Sequence, residues 1–403
     1  MTLQNNKQNI MPLKTNRIES IDILRGVVMV IMALDHVRDY FHYGSFFSNP
    51  TNLETTTPFL FFTRFITHYC APVFVFLAGT SAFLYGSKKT KPELFKFLFT
   101  RGIWLVFLEI AVNNLIWWFD INYGFVVLQV IWAIGLSMVI LSFLIFLPKQ
   151  ILIAIGFIII LGHNLLDTIL LKGESIGAIL WYILHQGSQI TTDSNRLIGI
   201  YYPILPWVGV IILGYSFGHF YAKNFNASIR KKWLLILGFA AIALFFIVRG
   251  SNVYGDLVPW TIQDTSTKTI LSFFNVSKYP PSLSYLLITL GPALLFLYGI
   301  ETVKNKFTDF FLVFGRVPLF YYFLHIFVIH VLAIIGILIF GGNWQDMILT
   351  AEAFQNANLI NYGYSLMVVY MVWAGVIILL YFPSKKYMVY KATNKDKWWL
   401  SYL

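Results

Sequence analysis

The residues best equipped to move a proton or hold an anion crowd into one stretch, SIDILRGVVMVIMALDHVRDYF, residues 20–41. On a helix turning about 100° per residue, Arg25 and His36 point within about 20° of each other and stand about 16 Å apart along the axis. Asp22 lies one turn before Arg25, within about 60° of it, where the two can pair. One stripe of this segment therefore has an ion pair near one end and an imidazole near the other, with Met29 and Met32 on or near it. Imidazole titrates near working pH and suits general-base chemistry on a hydroxyl or amine. A carboxylate, from Asp35, Asp39 or the more distant Asp167, can orient the ring and stabilise the imidazolium. Gly26 permits close approach of a second helix or a ligand. The spacing alone leaves a plainer reading open, with Asp22 and Arg25 as an interfacial anchor and His36 as a satisfied polar group.

Other ionisable residues fall inside apolar runs, where their cost makes function the default hypothesis. His163 and Asp167 are one turn apart in the fifth run, and His325 and His330 share the ninth. Arg64 and His68 lie in the second run, and Arg101 and Glu109 lie about two turns apart in the third. If the helices bundle, His36, His163, Asp167 and His330 are expected to converge on a polar cavity. Each alone also reads as structural. No HExxH pattern, phosphate-binding glycine loop or GxSxG elbow occurs, so no metal site, nucleotide hydrolysis or serine-hydrolase chemistry is expected.

The elements that must position these groups are membrane spans. The chain has 403 residues, 58% hydrophobic and only 12% charged. A soluble domain carries about 25% charged residues, so the bilayer must be the solvent for much of this surface. A single cysteine, Cys70, excludes an intramolecular disulfide. Runs long enough to span are 20–41, 58–86, 97–118, 124–147, 150–171, 201–222, 233–249, 282–301, 317–341 and 362–382. These predict an all-α bundle of ten or so spans over 20–382, between tails 1–19 and 383–403. The short run 177–190 reads as an interfacial or re-entrant piece.

The net charge of +11 points to membrane topology and not to a nucleic-acid partner, because the cations sit between spans. Lys88, Lys89, Lys149, Lys223, Lys231, Lys304 and Lys385 fall in alternate loops, whereas loops 42–57, 119–123 and 342–361 have no Lys or Arg. By the positive-inside rule both termini are cytoplasmic. The first run lacks a small-residue cleavage site and reads as a retained span, not a signal peptide. The long outer loop 250–281, rich in Asn, Asp, Trp and Tyr, is either a lid, part of an acceptor site, or an ordinary surface loop.

The opening segment RIESIDILRGVVMVIMALDHVRDYF resembles the first span of the transmembrane acyltransferase superfamily, with Arg25 and His36 on its Arg–ten residues–His pattern. The segments APVFVFLAGTSAFLYG, LQVIWAIGLSM, KYPPSLSYLLITLGPALLF and FGRVPLFYYFLHIFVIH resemble the bacterial heparan-alpha-glucosaminide N-acetyltransferase-like branch. In the lysosomal enzyme the His36 position is similar to Asn, with the catalytic His slightly later. His42 and His68 are candidate counterparts here. The resemblance implies a helical bundle around a pore-like site in a bacterial plasma membrane. It implies acetyl-CoA or another acyl-CoA as donor, a sugar or glycan as acceptor, and no metal. His36 would be the catalytic histidine, with Asp35, His163, Asp167 and His330 as further catalytic candidates. Arg25, Asp22, Arg101 and Arg316 would serve the donor. Transfer is either direct or through an acyl-histidine. The reading from another class is a multi-pass transporter or channel lined by the same His, Asp and Arg residues.

Overall fold

The computed structural model describes residues 18–194, 196–350 and 357–401. The first half runs through α1 (Glu19–Phe41), α2 (Pro58–Thr67), α3 (Cys70–Gly86), α4 (Lys91–Phe107), α5 (Asn114–Trp118), α6 (Val130–Leu144), α7 (Lys149–Gly162) and α8 (Ile176–Trp181). It continues through α9 (Ile204–Phe217), α10 (Ala227–Ser251), α11 (Ser266–Phe274) and α12 (Leu283–Ile300). The last elements are α13 (Lys306–Arg316), α14 (Pro318–Phe340), α15 (Ala357–Ile360) and α16 (Leu366–Thr393).

Every expected span is helical over most of its length, and the chain is a helical membrane bundle. Among the described residues, seven helical stretches are long and apolar enough to cross a bilayer. The other three expected spans fall outside that set for visible reasons. α1 carries Asp22, Arg25, Asp35, Arg38 and Asp39, and the α4–α5 stretch carries Glu93, Lys96, Arg101 and Glu109. α6 has only 15 residues.

The helical bundle also holds one small sheet. A three-stranded sheet holds β1 (Phe125–Leu128), β2 (Ser188–Thr191) and β3 (Leu197–Ile200) in the order β1-β3-β2. β1 pairs with β3 in parallel and β2 with β3 antiparallel. These segments are rich in Val, Ile and Thr, which suit a pleated surface. The fourth expected span accordingly begins as strand. The 177–190 piece becomes α8, a π-turn over Tyr182–Gln186, and β2. α16 runs to Thr393, past the expected end at 382 and through Pro383, which spanning helices tolerate. The tail 1–17 lies outside the described residues.

α1 is the axle of the bundle. It packs against α2, α3, α12, α13, α14 and α16, and most of its residues are buried. A helix enclosed on all sides shows no strong polar face, so its charges must find partners inside the protein. Small residues set the closest contacts. A Cβ on Gly26 would sit 1.9 Å from the Phe311 carbonyl oxygen, and one on Gly315 would sit 1.8 Å from that of Asp22. Only glycine lets α1 and α13 touch backbone to backbone there, which meets the expectation for Gly26.

Candidate functional site

Two chambers flank α1, one at each end of its polar stripe. The larger, about 420 Å³, lies beside Arg25 and falls within the range of small-molecule sites. Arg25, Arg101, Arg316 and Lys391 line it, and among the described residues no carboxylate does. Met29, Leu105, Ile134 and Met138 supply apolar wall. The smaller chamber, about 110 Å³, lies beside His36 and is polar. Asp35, Asp39, Arg64, Lys278 and Tyr279 line it. Phe74, Val130 and Tyr322 wall both chambers, so the partition between them is one side chain thick.

Arg25 is fixed in its chamber by neighbours on three helices. It donates to Asp22 Oδ1 at 2.8 Å, to the Gly315 carbonyl at 3.1 Å and to Ser81 Oγ at 2.9 Å. The glycine contact between α1 and α13 makes the second of these bonds possible. Arg316 lies 3.8 Å from Asp22 Oδ2 and 3.6 Å from Glu19. The four residues expected to serve a donor therefore gather at one chamber: three arginines line it, and Asp22 holds two of them.

His36 meets a partner that the sequence reading left out of the site. Its Nδ1 lies 2.7 Å from His325 Nε2. His325 Nδ1 lies 2.9 Å from the Tyr321 carbonyl, which can only accept. With both rings neutral, His325 carries its hydrogen on Nδ1 and accepts at Nε2. His36 must then carry its own hydrogen on Nδ1. Its Nε2 keeps the lone pair, which is the tautomer a general base needs.

The carboxylates do not play the expected part. Asp35 bonds Arg38 at 2.9 Å and also Arg64, and Arg38 also bonds Asp39. These four buried or half-buried groups neutralise each other, and neither carboxylate bonds to His36. Asp35 still lines the chamber, as a wall and not as the ring's orienter.

The expected convergence of His163, Asp167 and His330 with His36 is not what the fold builds. His163 sets Nε2 2.9 Å from the Pro281 carbonyl and Nδ1 3.0 Å from the Ile159 carbonyl, so both ring nitrogens face backbone and its single N–H donates to one of them. Asp167 pairs with His185 at 3.0 Å and accepts from Asn164 at 2.8 Å. His330 bonds the Met347 carbonyl at 2.8 Å and the Ile116 carbonyl at 3.1 Å, and stacks on Phe119. None of the three lines either chamber, nor do His42 and His68.

Loop 250–281 is a built wall. Buried Arg249 donates to the carbonyls of Val258, Ser272, Phe273 and Asn275 at 2.8–3.0 Å. Asp256 accepts from the backbone N–H of Ser277 and from the hydroxyls of Ser277 and Ser282. This scaffold ends in Lys278 and Tyr279, which line the smaller chamber.

The family model described as heparan-alpha-glucosaminide N-acetyltransferase, catalytic, matches residues 17–253, more than half of the chain. The chain belongs to this family. The family is one of membrane acetyltransferases, the branch that the later segments of the sequence resembled. The matched region carries Asp22, Arg25, His36, Arg64 and Arg101. It ends just after α10, so Lys278, Arg316, Tyr322 and Lys391 complete the two chambers from beyond it, and His325 reaches His36 from there too. No curated protein sequence matches the chain. Sequence reasoning missed Tyr322 and Lys391 and left Arg64, Lys278 and His325 out of the site. Arg64 and His325 carried the usable signal, as ionisable groups in apolar runs.

Proposed function

We propose that this protein transfers an acetyl group from acetyl-CoA in the larger chamber to a sugar acceptor in the smaller one, with His36 as general base. One observation carries the reading: a cation-rimmed, apolar-walled chamber and a small polar chamber share a partition beside a histidine held in its basic tautomer. Arg25, Arg101, Arg316 and Lys391 suit the phosphates of CoA. The apolar walls suit the pantetheine arm, which carries the thioester toward the partition. The acceptor amine or hydroxyl loses its proton to His36 Nε2 as it attacks the thioester carbon. His325 accepts from the imidazolium through Nδ1–H. Collapse of the tetrahedral intermediate breaks the C–S bond, and the thiolate recovers the proton from His36.

The cationic rim lies on the side whose loops hold the Lys and Arg residues, so CoA enters from the cytoplasm and the acceptor from the opposite face. A bacterial plasma membrane fits the branch that the chain resembles. Purified protein in detergent, given labelled acetyl-CoA and glucosamine, tests this. His36→Ala should lower CoA release by about 10²–10⁴-fold while acetyl-CoA binding stays intact by calorimetry. Folded wild-type protein that neither binds acetyl-CoA nor releases CoA would sink the reading and return these polar residues to a transport path.

A further inference from the structure

The tetrahedral intermediate needs a donor for its oxyanion, and the partition holds a candidate. Tyr322 walls both chambers, is only 5% exposed, and sets its ring edge-on to His36 with centroids 6.3 Å apart. Its oxygen lies 3.5 Å from Asn113 Nδ2. That same nitrogen donates to Glu109 Oε1 at 2.7 Å, and Glu109 Oε2 accepts the Trp132 backbone N–H at 3.1 Å. An amide nitrogen only donates. The phenol oxygen is therefore the acceptor in this contact, and its own hydrogen is left to point elsewhere. The carboxylate behind the amide fixes the direction of the chain of bonds. Glu109 is fully buried within the π-turn Leu108–Asn113, a local distortion of the kind often found at functional sites.

We propose that the Tyr322 hydroxyl donates to the thioester carbonyl oxygen and stabilises the oxyanion, with Asn113 and Glu109 as positioning residues. This rests on the larger chamber holding acetyl-CoA. The acceptor heteroatom bonds the carbonyl carbon, the C=O π pair moves onto oxygen, and that oxygen accepts from Tyr322. When the C–S bond breaks, the pair returns and the phenol keeps its proton throughout. Tyr322 thus acts on the oxygen while His36 acts on the attacking proton.

Tyr322→Phe keeps the ring that walls the chambers and removes only the hydroxyl. Turnover of acetyl-CoA with glucosamine should fall about 10²–10³-fold, with KM for both substrates within about threefold. A second readout does not need turnover. In His36→Ala protein holding carbonyl-¹³C acetyl-CoA intact, the infrared carbonyl band should lie below that of the free thioester. Adding Tyr322→Phe should return it toward the free position. Binding without a carbonyl shift, or a Tyr322→Phe enzyme within about threefold of wild-type turnover, overturns the assignment. No binding of acetyl-CoA at all would strike instead at the donor chamber, and the inference would fall with it.

Discussion

The two chambers solve opposite problems with the same helix. The larger one gathers Arg25, Arg101, Arg316 and Lys391 in its lining, with Asp22 and Glu19 set behind two of them, a balance that suits a polyanion. The smaller one spends Asp35 and Asp39 on Arg38 and Arg64, so those four charges are settled before a ligand arrives. A site that must grip a charged carrier concentrates one sign of charge in its lining. A site that must position a small polar acceptor beside a base keeps its frame rigid. α1 does both because its ends meet different neighbours: α13 comes to Asp22 and Arg25, and α2 brings Arg64 to Asp35.

Breaking the rigid frame should give the larger stability effect. Asp35→Leu leaves the buried Arg38 and Arg64 with Asp39 as their one carboxylate among the four groups. Loss of one partner from a buried charge cluster costs about 3–5 kcal/mol. Arg316→Leu, at the donor rim, removes ion pairs of 3.6–3.8 Å whose arginine side chain is 22% exposed. That change should cost under about 1 kcal/mol. Thermal unfolding in detergent compares the two directly. Equal shifts would show that the chambers do not differ in rigidity.

A middle-sized effect is expected where α1 touches α13. Gly315→Ala forces a Cβ against the Asp22 carbonyl, and backbone cannot yield as a side chain can. Overpacking of this kind costs about 1–3 kcal/mol. It should also move Arg25 off the Gly315 carbonyl and weaken acetyl-CoA binding, with the His36–His325 pair untouched. A variant with lowered thermal stability but unchanged acetyl-CoA affinity would separate the helix contact from the donor site.

How much of this was legible follows the same division. Asp22, Arg25 and His36 share a stripe of one helix, and local periodicity placed them correctly. His325 and His330 are five residues apart, about 140° around their helix, so only one of them can face His36; His330 packs on Tyr40 instead. Choosing by depth favoured His330, but depth in a membrane does not fix azimuth. Asp35 read as the partner of the adjacent imidazole. Arg38, three residues on, and Arg64, from another helix, claim it instead. The role of loop 250–281 rests on Arg249 bonding four backbone carbonyls, and backbone partners leave no trace in sequence. Strands β1 and β3 were hidden because four-residue apolar runs look alike in helix and strand, and β2 because a four-residue polar piece carries too little pattern.

The finest test of the comparison is a crossed pair of rim substitutions. Arg101 lines only the larger chamber and Lys278 only the smaller. If Arg101 binds a CoA phosphate equally in the ground and transition states, Arg101→Ala should raise KM for acetyl-CoA about tenfold and leave kcat near wild type. The increase should vanish with acetyl-pantetheine, which lacks the nucleotide phosphates, and should shrink in high salt. Lys278→Ala should do the converse, raising KM for the acceptor by a few-fold while acetyl-CoA affinity holds. Each chamber then answers to one substrate. Were Lys278→Ala to weaken acetyl-CoA binding as strongly as Arg101→Ala does, the partition at Phe74, Val130 and Tyr322 would not divide donor from acceptor, and the two chambers would be one.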